Sequence, residues 1–176
     1  MPDPATHVLV PLVGIRLIEL AKRKVLISSP NRYILALGCI FPDLIDKAVP
    51  YSFDYLYRYF TGERSYFPTL EYLHTPLILI LCIYMFCFVF VAEYRIKVFF
   101  ILSTGVLVHL LLDLTQGNLC AIGYLWFFPF SLEKPSVVTM FYDNQTTPLV
   151  PLFLLALVVT EVIFRSMNKE KKHRIG

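Results

Sequence analysis

Five blocks of nearly uninterrupted apolar residues, at positions 8–21, 33–41, 76–92, 98–114 and 148–164, are separated by shorter stretches that hold most of the charge. Such blocks predict helices lying in a bilayer, where every backbone polar group is bonded within its own segment. Each falls short of the about 20 residues that cross a bilayer squarely. The first two are therefore expected to be tilted, partly embedded or extended by amphipathic flanks, and the last three to span. No internal repeat or low-complexity linker divides the chain. The expected fold is all-α, a polytopic membrane helical bundle formed by one domain over residues 1–176, with 165–176 a basic cytoplasmic tail.

Composition strengthens this reading. With 57% hydrophobic and 16% charged residues and a mean hydropathy of +0.63, the chain has too few charges to cover a water-soluble surface. Its net charge of +3 is small, and no basic groove with interleaved aromatic residues is visible, so no nucleic acid is expected as a partner. The four cysteines, among them Cys39, Cys82 and Cys87 in or beside apolar runs, show no CxxC spacing. They act as small hydrophobes and imply neither a disulfide framework nor a zinc knuckle. The N-terminus lacks the basic leader of a cleaved signal peptide, so His7 is expected in the mature chain.

Lysine and arginine are retained on the cytoplasmic side of membrane proteins. Lys22, Arg23, Lys24 and Arg32, then Arg95 and Lys97, then the tail form one basic set of connections; Lys47, Arg58, Arg64 and Lys134 are all that the other set holds. Threading five segments under this rule puts the N-terminus outside and the tail inside. His7, the PDLID turn, His74 and the end of the fourth block then all fall at the extracytoplasmic face.

That convergence carries the candidate chemistry. In HLLLD, His109 and Asp113 stand one helical turn apart and share a face. An acidic residue ending an apolar helix is costly without a cation or donor beside it. Together with His7, Asp43 and His74 they form an expected metal-ligand set, suited to Zn2+ and also to Mn2+ or Fe2+. Asp43 and Asp46 are the candidate catalytic carboxylates. A divalent ion held there would acidify a water and polarise a phosphoryl or carbonyl oxygen, so the expected reaction is hydrolysis.

Other features have simpler readings. Arg16 with Glu19, and Glu161 with Arg165, are expected to pair along their own helices. The aromatic cluster 126–130, with the single tryptophan Trp126, suits a membrane interface. Residues 51–60, YSFDYLYRYF, predict an interfacial amphipathic helix. Asn144-Gln145-Thr146 matches a glycosylation sequon by pattern alone.

Taken together, THVLVPL, FPDLID, LHTPL, GVLVHLLLDLTQG and WFFPFS resemble the prokaryotic family of membrane-bound metal-dependent hydrolases, described as LexA-binding inner-membrane hydrolases. The resemblance runs over residues 6–131, in the family's order. That family is grouped with zinc-dependent phospholipase C and P1 nuclease, which implies an all-helical fold of that kind and cleavage of phosphodiesters. On this likeness His7, Asp43, His74, His109 and Asp113 match the ligand positions. The chain departs from the pattern in having only LHTP where many members carry a longer histidine-containing run. It also has no counterpart to the further histidine of the soluble enzymes, since His173 lies in the basic tail.

The expected function is thus a membrane-bound metal-dependent hydrolase acting on small-molecule or lipid phosphoesters, with membrane lipid as its surroundings. The alternative is a non-enzymatic membrane protein, in which the same polar residues glue helices together, pass protons or ions, or anchor a partner.

Overall fold

The computed structural model describes residues 4–63, 71–115, 125–131 and 147–173. Arg64, Gln116, Gly117, Asn118, Cys120, Lys134, the sequon and Arg174 lie outside the described residues. All described elements are helical. Helix α1 (Pro4–Lys22) is followed by α2 (Ser29–Asp43), whose end widens into a single π-helical turn (Leu44–Ala48) that runs on into α3 (Val49–Thr61). A 3-10 turn (Glu71–His74) leads into α4 (Pro76–Phe86), which a second 3-10 turn (Cys87–Val89) prolongs. Then come α5 (Ala92–Leu114) and, after a 3-10 turn at Thr147–Leu149, α6 (Val150–His173). Prolines sit in the first turn of α2, α3 and α4, where the missing N–H costs nothing and the fixed φ suits the helix.

Among the described residues, three helical stretches are long and apolar enough to cross a membrane: Pro4–Lys22, Ala92–Leu114 and Thr147–Met167. The first exceeds expectation and the third apolar block falls short of it. Helix α1 takes in flanks on both sides of its apolar block, whereas Phe90 is extended, with φ −93° and ψ 155°, and stops the helical run at Val89. The second block remains short, at 15 residues. The basic tail begins as a direct continuation of α6, helical to His173.

The core is built on α2 and α5. Phe41, Leu79, Ile83, Val98, Leu102 and Leu110 form its buried cluster, with α4 laid against α5. The two helices cross at Gly38 and Gly105. A Cβ on Gly38 would lie 2.6 Å from the Leu102 carbonyl oxygen, and one on Gly105 would lie 2.6 Å from that of Leu35. Only hydrogen fits at this crossing, and small residues at the contact are what let two membrane helices approach so closely. On the other flank α1 packs against α6. The outward faces carry Leu152, Leu155 and Val162 of α6 and Phe100 and Leu107 of α5, all exposed, as a lipid-facing surface requires. Helix α3 buries none of its residues. Its exposed Tyr51, Phe53, Tyr55, Tyr59 and Phe60 make it an aromatic surface of the kind that sits at a membrane interface.

Candidate metal centre

The ends of four chain segments meet at one end of the bundle. His7 lies one turn into α1, Asp43 ends α2, His74 closes the 3-10 turn before α4, and His109 with Asp113 ends α5. The side chains are removed from solvent: His74 and His109 are 0% exposed, His7 1% and Asp113 2%. All five sequence-predicted ligands are therefore brought together, along with Asp46 from the π-turn.

Asp113 is the hub. Its Oδ2 lies 3.1 Å from His74 Nε2 and 3.2 Å from His109 Nε2, while its Oδ1 lies 3.3 Å from His7 Nε2. The His74 and His109 Nε2 atoms are 3.3 Å apart. The His7 ring stacks on that of His109, with centroids 4.0 Å apart. Asp43 lies within 4.8 Å, ligand atom to ligand atom, of both His7 and His109. It is also ion-paired with Lys47, one turn on in the π-helical segment.

The protonation pattern follows from the bonds. His109 Nδ1 is 2.7 Å from the backbone oxygen of Cys39. A carbonyl can only accept, so Nδ1 carries the hydrogen and donates it, and in the neutral ring Nε2 presents a bare lone pair. That lone pair faces a carboxylate oxygen and a second imidazole nitrogen. His7 Nδ1 has no hydrogen-bond partner, and its Nε2 has only the 3.3 Å contact with Asp113 Oδ1. Buried polar atoms are ordinarily satisfied, so buried ring nitrogens and carboxylate oxygens converging on one another are an arrangement that a cation completes. Burial by itself would lower the pKa of His74; the neighbouring Asp113 and Asp46 carboxylates outweigh it and hold that pKa above its ordinary value. Asp46 does so from the far side of the ring, its Oδ2 3.6 Å from Nδ1.

The donor set fits a divalent transition ion. His74 Nε2, His109 Nε2 and Asp113 Oδ2 form a triangle with sides of 3.1, 3.2 and 3.3 Å. For ligands about 2.0–2.1 Å from a tetrahedral zinc, the edge between two ligand atoms is roughly 3.3 Å. The triangle thus has the dimensions of one tetrahedral face. Among the described residues, three buried or half-buried carboxylates, Asp43, Asp46 and Asp113, stand against the one ammonium paired with them, that of Lys47, an excess of negative charge that such an ion offsets. The bond from His109 Nδ1 to Cys39 supplies the outer support that metal-bound imidazoles need. Sequence reasoning did not find this support: the Gly38–Gly105 contact brings the Cys39 carbonyl within reach one turn before His109, and the only signal was two glycines inside apolar blocks.

A second polar cluster occupies the opposite end of α1. Arg16 Nη1 is 2.7 Å from Glu19 Oε2, as expected for the pair within one helix. Arg165 Nε is 2.8 Å from Glu161 Oε1, likewise. Two links between helices were not anticipated: Arg16 also pairs with Glu161 of α6, and Arg32 of α2 with Glu19, at 3.0 Å. Glu19 Oε1 further accepts the backbone N–H groups of Leu26 and Ile27 at 2.8 and 3.1 Å. Neither partner could be read from spacing along one helix.

Spanning helices, a lipid-facing apolar exterior and a buried imidazole–carboxylate centre at one end define an all-helical integral membrane protein. The chain belongs to the YdjM inner membrane protein family, whose sequence model matches residues 1–173. No curated protein and no solved structure matches it.

Proposed function

We propose that this inner membrane protein is a divalent-metal-dependent hydrolase of phosphoesters, with lipid phosphoesters as its substrate class and a distant kinship to the phospholipase C and P1 nuclease enzymes. The observation that carries the reading is the triangle of His74 Nε2, His109 Nε2 and Asp113 Oδ2, sized for a transition ion and fed by two chain segments. His7 and Asp43 complete the ligand set. A bound ion would polarise a phosphoryl oxygen and acidify a water.

The protein's own groups take the remaining roles. Asp43, at the rim of the cluster and 7% exposed, accepts the proton of the attacking water at a carboxylate oxygen. Lys47, paired with it, offsets charge that builds on the phosphoryl oxygens. Asp46 is a positioning residue: it faces His74 Nδ1 and orients the ring toward Asp113. Beside Asp43 opens a groove of about 320 Å³ with Pro4, Ile40, Leu44 and Tyr51 in its walls. An apolar wall reaching to a carboxylate and an ammonium suits an amphiphile that arrives from the bilayer. By the positive-inside rule this end faces the extracytoplasmic side, with the tail in the cytoplasm.

The test is metal analysis of the purified protein, followed by incubation with bis(p-nitrophenyl) phosphate and with phospholipid vesicles. At least one tightly held divalent ion per chain and metal-dependent ester cleavage are expected. Metal-replete protein that turns over neither substrate, yet moves the ion into sealed vesicles, would replace the hydrolase with a transporter.

A further inference from the structure

The arginine cluster at the other end of α1 borders a groove of about 490 Å³ between α1, α2 and α6. Arg16, Arg32 and Arg165 stand on its polar side, and Ala36, Leu157 and Val162 on its apolar side. We propose that this groove is a binding site for an anionic phospholipid of the cytoplasmic leaflet, its phosphate against the guanidinium groups and an acyl chain along the apolar wall. The proposal is independent of the metal centre.

Three observations support it. The guanidinium groups outnumber the carboxylates: Glu19 and Glu161 are already saturated by Arg16, Arg32 and Arg165, so the wall keeps a net positive charge. The buried Nε of Arg32, a residue that lines the groove, has no hydrogen-bond partner. The first residue of the 15-residue helix α2, Ser29, is exposed and lines the same groove, which adds the positive end of a helix dipole to the polar side. Next to it, Lys22, Arg23 and Lys24 close α1 and begin the connection to α2, all exposed. Basic groups on the cytoplasmic side attract anionic lipid by about 1 kcal/mol per residue near the surface. A free phosphate would use the arginines but leave the apolar wall bare, so a lipid is the occupant that accounts for both sides.

The experiment uses the full chain in a neutral detergent, titrated with phosphatidylglycerol and with phosphatidylcholine and read by native mass spectrometry. Phosphatidylglycerol should be retained at least about fivefold more tightly, the factor that one charge of this strength supplies. Arg165→Gln should lower that retention about fivefold. Ala36→Phe, which fills the apolar side without touching a charge, should abolish it. Circular dichroism and monodisperse elution report whether each variant folds, and Arg165→Gln decides the question should Ala36→Phe not. Equal retention of the two lipids, or phosphatidylglycerol retention unchanged in the folded variants, would overturn the proposal. So would full displacement of the lipid by millimolar inorganic phosphate, which would mark a small-anion site instead.

Discussion

The two polar clusters of this bundle solve the problem of burying charge in opposite ways. Around Glu19 the carboxylates are met by fixed cations: Arg16 and Arg32 donate to the same side chain that also accepts two backbone N–H groups. Around Asp113 the neighbours are imidazoles, whose nitrogens are lone pairs as readily as donors, and the ammonium of Lys47 is engaged by Asp43 instead. In one cluster the carboxylates are neutralised by cations of the chain itself, and in the other they are left to be neutralised by a bound cation. Removing a buried carboxylate from the first should therefore cost stability, and removing one from the second should cost a bound cation.

Glu19→Gln should have the largest effect. It would leave Arg16 and Arg32 facing an amide inside the bundle, and breaking a buried ion pair from one side costs about 3–5 kcal/mol. Unfolding in mixed micelles should show that loss, with the metal content of the surviving folded protein unchanged. Loss of metal in that variant would mean that the two clusters are not separate. The converse experiment comes next. Asp113→Ala or His109→Ala should leave the helices inserted while metal affinity falls by more than the roughly 100-fold that outer-sphere changes cause. A chelator should lower the unfolding temperature of the unaltered protein and leave that of Asp113→Ala where it was, since only a ligand bound to the native state stabilises it. Undiminished metal content in Asp113→Ala would be incompatible with the hub role of that carboxylate.

How far the sequence displays these two clusters differs in an instructive way. The side chains of the candidate metal centre were legible as a group because each stands at or near the end of an apolar block, and alternating passage through a bilayer sends alternate ends to one face. His7, Asp43, His74, His109 and Asp113 needed no tertiary information beyond that alternation. The arginine cluster was legible only as two pairs along single helices, Arg16 with Glu19 and Glu161 with Arg165. Its links from helix to helix depend on how α1 is rotated against α2 and α6, which a one-dimensional pattern does not encode. The extent of the third block was hidden as well: Phe90 leaves the helical region before the apolar run ends, with no proline or glycine there to announce it.

The crossing of α2 and α5 offers an intermediate test. In Gly105→Ala the new methyl would meet the Leu35 oxygen and the Cys39 nitrogen at 2.6 and 2.8 Å, so the helices must part, at about 1–3 kcal/mol for an overpacked contact. The Cys39 carbonyl would then move off His109 Nδ1, and metal affinity should drop by about 10-fold, the lower range for loss of an outer-sphere bond. Gly14→Ala is the control, because a Cβ there meets nothing within 4 Å. It should leave metal affinity unchanged. Equal affinities in the two variants would show that the crossing does not support the centre.

The smallest effect is expected inside the arginine cluster itself. Arg165 pairs with Glu161 as Arg16 does, but its side chain is 75% exposed where that of Arg16 is 7% exposed. An exposed pair one helical turn apart is worth about 0.3–0.5 kcal/mol, and Glu161 keeps Arg16 as a partner when Arg165 is lost. Arg165→Gln should therefore unfold within about 0.5 kcal/mol of the unaltered protein. A loss as large as that of Glu19→Gln would mean that this end of α6 is held by the outer guanidinium, and that completeness in the cluster depends on every member and not on the buried ones.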